Sequence, residues 1–107
     1  MQTFKDFKVI CILDDCTDKT ENIINTYNNR LNIEISKGNW HRPGLTRNRG
    51  IDLVKTEWLC FIDGDDWLTS NTAIEDVITK INALPKEIEA LRVLNSASYD
   101  CPKFFYR

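Results

Sequence analysis

The sequence predicts an α/β domain with a mainly parallel sheet and flanking helices. Two short, continuously apolar runs, Lys8 to Leu13 and Glu57 to Ile62, have the composition of strands buried on both faces, the mark of parallel sheets. Segments of helical periodicity separate the strand candidates. The order strand–helix–strand–helix–strand–helix–strand is that of α/β chains.

Each element has its own signal. The first strand candidate, Lys-Val-Ile-Cys-Ile-Leu, ends in Asp14-Asp15. Asp18-Lys19-Thr20-Glu21 then reads as a capping box opening a helix, with Ile23, Ile24, Tyr27 and Leu31 at helical spacing and Asn28-Asn29 as its stop. Asn32 to Ile35 alternates polar and apolar residues and predicts a short edge strand. Gly38, Pro43 and Gly44 break the chain into a loop over 36–44, and Leu45 to Val54 is helical despite Gly50. The second buried-type strand runs into Asp63-Gly64-Asp65-Asp66. A second capping box, Thr72-x-x-Glu75, opens the most regular helix, with Ile74, Val77, Ile78, Ile81 and Leu84 on one face and Pro85 beyond its end. Ala90 to Leu94 is a further strand candidate; residues 95–107 carry no assignable pattern.

Composition narrows the functional classes. The chain has 107 residues, 42% of them hydrophobic and 28% charged, with 4 Gly and 3 Pro, which describes one small globular domain with a thin core rather than a low-complexity chain. Net charge is −2, from 14 Lys+Arg against 16 Asp+Glu, so the basic surplus of a nucleic-acid binder is missing. No apolar run approaches the ~20 residues that span a bilayer, and the N-terminus has no signal-peptide core. Cys11, Cys16, Cys60 and Cys101 form no Cys-x-x-Cys pair, which argues against zinc, and Cys11 and Cys60 sit in apolar runs as small hydrophobes. Reduced thiols and a cytoplasmic location are the expectation.

The chemistry concentrates in three places. Asp14-Asp15 and Asp63-Gly64-Asp65-Asp66 each follow a buried-type strand directly. If the two strands are parallel, both clusters emerge at the carboxyl edge, where open α/β sheets bind ligands. Asp and Gly are ordinary turn residues as well, but two such clusters on one edge ask for more. Close carboxylates repel unless a cation neutralises them, and Mg²⁺ or Mn²⁺ is the natural remedy for oxygen ligands. Between the clusters lies His41-Arg42-Pro43-Gly44-Leu45-Thr46-Arg47-Asn48-Arg49, a run that is either a solvated basic face or an anion seat at a helix start. Carboxylates for a metal with arginine for phosphate describe a metal–diphosphate site, in which both absorb the charge of a leaving diphosphate. His41, the sole histidine, reads as a packing or exposed residue rather than a catalytic one. Trp40, Trp58 and Trp67 read as core or site-wall residues.

These residues resemble a family. Gln2 to Ile10 leading into Asp14-Asp15-Cys16-Thr17-Asp18-Lys19-Thr20 is similar to the segment of family-2 glycosyltransferases in which an apolar strand precedes Asp-Asp-Gly-Ser-x-Asp-x-Thr. Asn39, the stretch Gly44 to Ile51, and Phe61-Ile62-Asp63-Gly64-Asp65-Asp66 match its later motifs in order. The resemblance implies a GT-A fold, a Rossmann-like sheet that binds a nucleoside-diphosphate sugar, a UDP-sugar above all. It implies nucleotide-sugar contacts from Asp14, Asp15, Arg47 and Asp63: Asp14 or Asp15 on the nucleobase side, Arg47 near the nucleotide, and Asp63 near the ribose and metal. Asp65 would be the metal ligand of the Asp-x-Asp motif, with Asp63 beside it and Mn²⁺ or Mg²⁺ as cofactor. Cys16 and Thr17 stand where the family often has Gly and Ser.

The resemblance also predicts one partial domain over residues 1–107. The family's first strand and helix precede the segment matched at Gln2, and its acceptor half and catalytic base follow the matched region. The expected activity is metal-dependent sugar transfer to an unknown acceptor. The alternative is a non-catalytic remnant that at most binds nucleotide and metal. A partner chain or oligomer completing the sheet is a further expectation. A phospho-receiver domain shares the paired Asp, but Ser96 and Lys103 are poor matches for its later residues and it gives Arg47-Asn48-Arg49-Gly50 no role.

Overall fold

The computed structural model describes residues 2–64, 68, 70–93 and 103–106. The chain divides into two compact units, residues 6–55 and residues 1–5 with 56–107, each described by itself.

In the first unit, β1 (Lys8–Asp14) lies parallel to β2 (Asn32–Gly38), with Lys8 opposite Asn32 and Asp14 opposite Gly38. The crossover runs through α1 (Thr20–Asn25), as parallel pairing requires. β1 forms where the apolar run predicts it. β2 continues three residues past the predicted Ile35, because backbone pairing with β1 carries Ser36, Lys37 and Gly38 along with no apolar signal of their own. Among the described residues no strand pairs with the other edge of β1.

The helix α1 is shorter than its periodicity predicts. It ends at Asn25, ahead of the predicted Asn28-Asn29 stop, and turn hydrogen bonds carry the chain on to Leu31. Its capping box does not form. Asp18 Oδ1 accepts from the Thr20 N–H at 3.0 Å and from the Thr20 hydroxyl, while Glu21 pairs instead with Lys37 at 2.9 Å. These contacts hold the Asp18 carboxyl below its usual range, the Thr20 hydroxyl contributing most.

α2 (Pro43–Leu53) starts at a proline, whose fixed φ suits the first helical turn and whose missing N–H costs nothing there. It packs against β1: a Cβ on Gly50 would stand at ordinary contact distance, 3.6 Å, from Ile12 Cγ1.

The second unit holds β3 (Leu59–Cys60), α3 (Ala73–Asn82), β4 (Ala90–Val93) and β5 (Lys103–Tyr106). The strands pair in the order β3-β5-β4, all antiparallel. The described partner of β3 is thus β5, in a stretch without sequence signal, while β1 and β2 form the parallel pair. Phe61 and Tyr106 meet edge to face, ring centres 6.2 Å apart. The core is the apolar face of α3, Ala73, Val77 and Ile81, with Trp58 and Leu68 against it.

The Thr72-x-x-Glu75 box is also replaced. Gln2 Oε1 accepts from the Ile74 N–H at 3.0 Å, Gln2 Nε2 donates to Ser70 O at 2.7 Å, and the Thr3 hydroxyl donates to Glu75 Oε2 at 2.7 Å. The N-terminal segment thus caps α3 from 72 residues away in sequence. Replacing Gln2 by Ala is expected to lower stability by about 1 kcal/mol, the usual worth of a side-chain cap, read as a shift in the denaturation midpoint.

Candidate functional site

The carboxyl end of β1 turns sharply. Asp15 has φ 54° and His41, in the loop after β2, has φ 55°. Both lie in the left-handed region, which Asp and His tolerate better than most non-glycine residues. The turn is tied across the sheet by the Asp15 N–H donating to Gly38 O at 2.7 Å.

Asp14 holds the following loop. Its Oδ1 accepts from the Trp40 N–H at 2.7 Å, its Oδ2 from the His41 N–H at 2.9 Å and from the Thr46 hydroxyl at 3.1 Å. The backbone N–H of His41, then that of Trp40, hold its carboxyl below the usual range, with the Thr46 hydroxyl and the charge of a protonated His41 adding to them and desolvation opposing. One half-buried carboxylate thereby fixes the chain from 40 to 46 and the start of α2.

Asp15 faces elsewhere. Turned so that its nitrogen meets two oxygens, the Asn39 side-chain amide donates to Asp15 Oδ1 and Gly38 O, each at 3.1 Å. His41 Nε2 stands 3.8 Å from Asp15 Oδ2. Asp15, Leu13, Cys16, Lys37, Gly38 and Asn39 line a cleft of about 310 Å³ at the carboxyl ends of the two parallel strands, where α/β sheets seat ligands. The Trp40 ring covers Gly38 so closely that a Cβ there would fall 2.6 Å from Cη2.

The structure therefore gathers Asp14 and Asp15 at one strand end and gives them different environments. Arg47 is exposed on α2, one residue after the Thr46 that reaches Asp14. The predicted arginine cluster is divided, since Arg49 Nε donates to Ser36 Oγ at 3.1 Å and so braces α2 on β2. Asp63 is exposed after β3, in the other unit, and Asp65 lies outside the described residues, as does Trp67. Sequence reasoning gave no role to Lys37, read Gly38 only as a loop breaker and Thr46 only as part of the basic run, and set His41 aside. A glycine two residues before a tryptophan was the available signal for the close stack. Cys11 and Cys16 form no disulfide; burial pushes the Cys11 thiol up, and Cys16 is exposed. Among the described residues no helix is long and apolar enough to cross a membrane.

The family model described as "Glycosyl transferase family 2" matches residues 1–98. The chain belongs to this family. It is 36% identical over 70 residues to the poly(ribitol-phosphate) beta-N-acetylglucosaminyltransferase TarS of Staphylococcus aureus, an overlap of 63% of this chain and 12% of TarS. It is 32% identical over 73 residues to the poly(ribitol-phosphate) beta-glucosyltransferase of Bacillus spizizenii, covering 65% of this chain and 12% of that protein. A crystal structure of Staphylococcus aureus TarS in complex with UDP superposes with a TM-score of 0.76 at 26% identity, over 99% of this chain and 39% of that one. The family-2 chain thus has the α/β GT-A fold and spans a minor part of the length of these relatives.

Proposed function

We propose that this chain forms the donor-binding part of a glycosyltransferase that moves a sugar from a nucleoside diphosphate, a UDP-sugar first, to an acceptor. The observation that carries this reading is the cleft beside Asp15, built on an Asp14-anchored loop in a chain of family 2. Asp14 spends its acceptor capacity on the loop, so Asp15 is the carboxylate left to meet a nucleobase N–H. The UDP complex of TarS supports a uridine nucleotide as the ligand to test first. Arg47 serves the diphosphate, where a guanidinium matches phosphate oxygens. Both units belong to one nucleotide-sugar-binding domain under this reading.

Asp63 and Asp65 would hold Mn²⁺ or Mg²⁺. Among the described residues no three His, Cys, Asp or Glu side chains gather into a metal site. The exposed Asp63 nevertheless has the hard oxygen donors these ions take, as does Asp65 two residues on. When bound, the ion would neutralise charge developing on the diphosphate leaving group. The chain's own part is to orient the nucleotide through Asp15 and to place Arg47 by the α2 start that Asp14 and Thr46 fix.

Calorimetric titration of UDP-glucose with and without Mn²⁺ tests the reading. Wild type is expected to bind more tightly with Mn²⁺, and Asp65→Ala to lose about tenfold or more of that gain, as loss of a charged ligand group does. Equal, metal-independent affinity in both proteins overturns the metal assignment, and no binding at all overturns the donor-site reading. Binding without turnover by the chain alone limits its role to holding the donor.

A further inference from the structure

We propose that Lys37 is a specificity-determining residue of the nucleotide cleft. Held by Glu21, its ammonium donates to the base carbonyl beside the ring N–H that Asp15 accepts, so the cleft selects uracil over cytosine. The inference rests on the donor-site reading above and adds to it the residue that reads the base.

All the groups it uses belong to the unit of residues 6–55. The parallel register puts Lys37 of β2 opposite Leu13 of β1, so the two share one face of the strand pair. The turn after β1 brings the Asp15 carboxylate to the same cleft, which Leu13, Asp15 and Lys37 all line. The other face is taken by α2, whose Gly50 stands against Ile12 and whose Thr46 reaches Asp14. The cleft thus combines a buried apolar side chain, Leu13, with one carboxylate and one ammonium. An apolar wall with a few convergent polar groups suits a flat heterocycle.

Opposite charges in one cleft attract, yet each is held by a different partner. Lys37 Nζ donates to Glu21 Oε2 at 2.9 Å. Asp15 Oδ1 accepts from the Asn39 amide at 3.1 Å. Glu21 sits in the first turn of α1 and draws the ammonium toward that helix. It takes one of three ammonium N–H groups and leaves the others for a ligand. Asp15 keeps Oδ2 for the same purpose. The cleft therefore presents an acceptor and a donor side by side.

Uracil presents N3–H beside a carbonyl. Asp15 accepts from the N3–H and Lys37 donates to the carbonyl, so both groups are matched at once. Cytosine presents a bare N3 lone pair beside an amino group. Its lone pair faces the carboxylate and its amino N–H faces the ammonium, two mismatches on the same ring frame. The two sugar nucleotides carry the same diphosphate, so any general attraction of Lys37 for phosphate cancels in the ratio of their affinities.

The test is calorimetric titration of UDP-glucose and of CDP-glucose, with Mn²⁺ at neutral pH, in wild type, Lys37→Met and Glu21→Ala. Methionine keeps an unbranched apolar stem and removes the charge and the donors. Wild type is expected to favour UDP-glucose by about tenfold or more, the scale of leaving polar groups unmatched. Lys37→Met is expected to lose about three- to tenfold of that preference, the scale of one partly solvated hydrogen bond, with Asp15 supplying the remainder. Glu21→Ala is expected to lose a smaller part, because the released ammonium is drawn to Asp15 and competes with the base N–H. A wild type without preference, or equal losses for both ligands in Lys37→Met, overturns the inference and leaves the donor site standing. An unchanged ratio in Glu21→Ala overturns the part given to Glu21. Absence of binding of either ligand by wild type removes the donor-site reading itself. Thermal midpoints of the three proteins establish that each ratio is read on folded protein, since Glu21 also ties α1 to β2.

Discussion

Asp14→Asn is expected to lower the thermal midpoint by several degrees and to weaken UDP-glucose binding by about tenfold or more, in line with the strength of charge-assisted hydrogen bonds. One carboxylate accepts from the Trp40 and His41 N–H groups and the Thr46 hydroxyl. An asparagine amide offers a single uncharged oxygen, and its NH₂ would face at least one of those donors. The unmatched donor pushes the 40–46 loop off β1, and with it the start of α2 that carries Arg47. Differential scanning fluorimetry and calorimetric titration read the two effects. Wild-type values in both would remove Asp14 from its anchoring role.

The pH dependence of that difference has a definite sign. The backbone N–H groups of His41 and Trp40 hold the folded-state carboxyl below its ordinary value. A depressed carboxyl contributes stability that is fully present above the ordinary Asp value of about 3.9 and is lost as pH falls through the lower folded value. The gap in midpoint between wild type and Asp14→Asn should therefore be largest near neutrality and should close in acid below about pH 4.

Gly38→Ala is expected to cost about 1–3 kcal/mol, the range for overpacking a close contact. The added Cβ would stand 2.6 Å from Cη2 and 2.8 Å from Cζ2 of Trp40, distances that no methyl group tolerates. The indole ring has to swing away from the strand. Because Gly38 also lines the cleft, ligand affinity should fall together with stability. The decisive comparison is a double-mutant cycle. In a Trp40→Ala background the ring is absent, and the Gly38→Ala cost should shrink by most of its value if the clash is its cause. An undiminished cost would place the strain elsewhere in β2.

Local pattern was enough wherever one short segment decides its own state. The apolar run from Lys8 to Leu13 becomes β1, and the spacing of Val77 and Ile81 becomes the buried face of α3. The early end of α1 is legible in hindsight from exposure: Ile23 is 60% exposed and Tyr27 43%, so the apolar positions that suggested a longer helix bury little surface to sustain one. Both capping boxes failed because their glutamates found other partners, Lys37 for Glu21 and Thr3 for Glu75. A box competes with any donor the fold brings near, and a sequence window does not contain that donor.

The site divides in the same way. The candidate residues are legible in the order of motifs: paired Asp after β1, Arg47 on α2, Asp63 after β3, in a family-2 chain. What each carboxylate of the first pair does is not. Asp14 and Asp15 are chemically identical neighbours, and at the end of a strand successive side chains point to opposite sides. The left-handed turn at Asp15 and the return of the chain from 39 to 46 sent one carboxylate to two loop N–H groups and a hydroxyl of α2, and the other to the cleft. Covalent identity and spacing set the family and the elements, because those depend on interactions a few residues apart. The division of labour between two adjacent carboxylates came from donors more than 25 residues away in sequence, and only folding brings those within hydrogen-bonding distance.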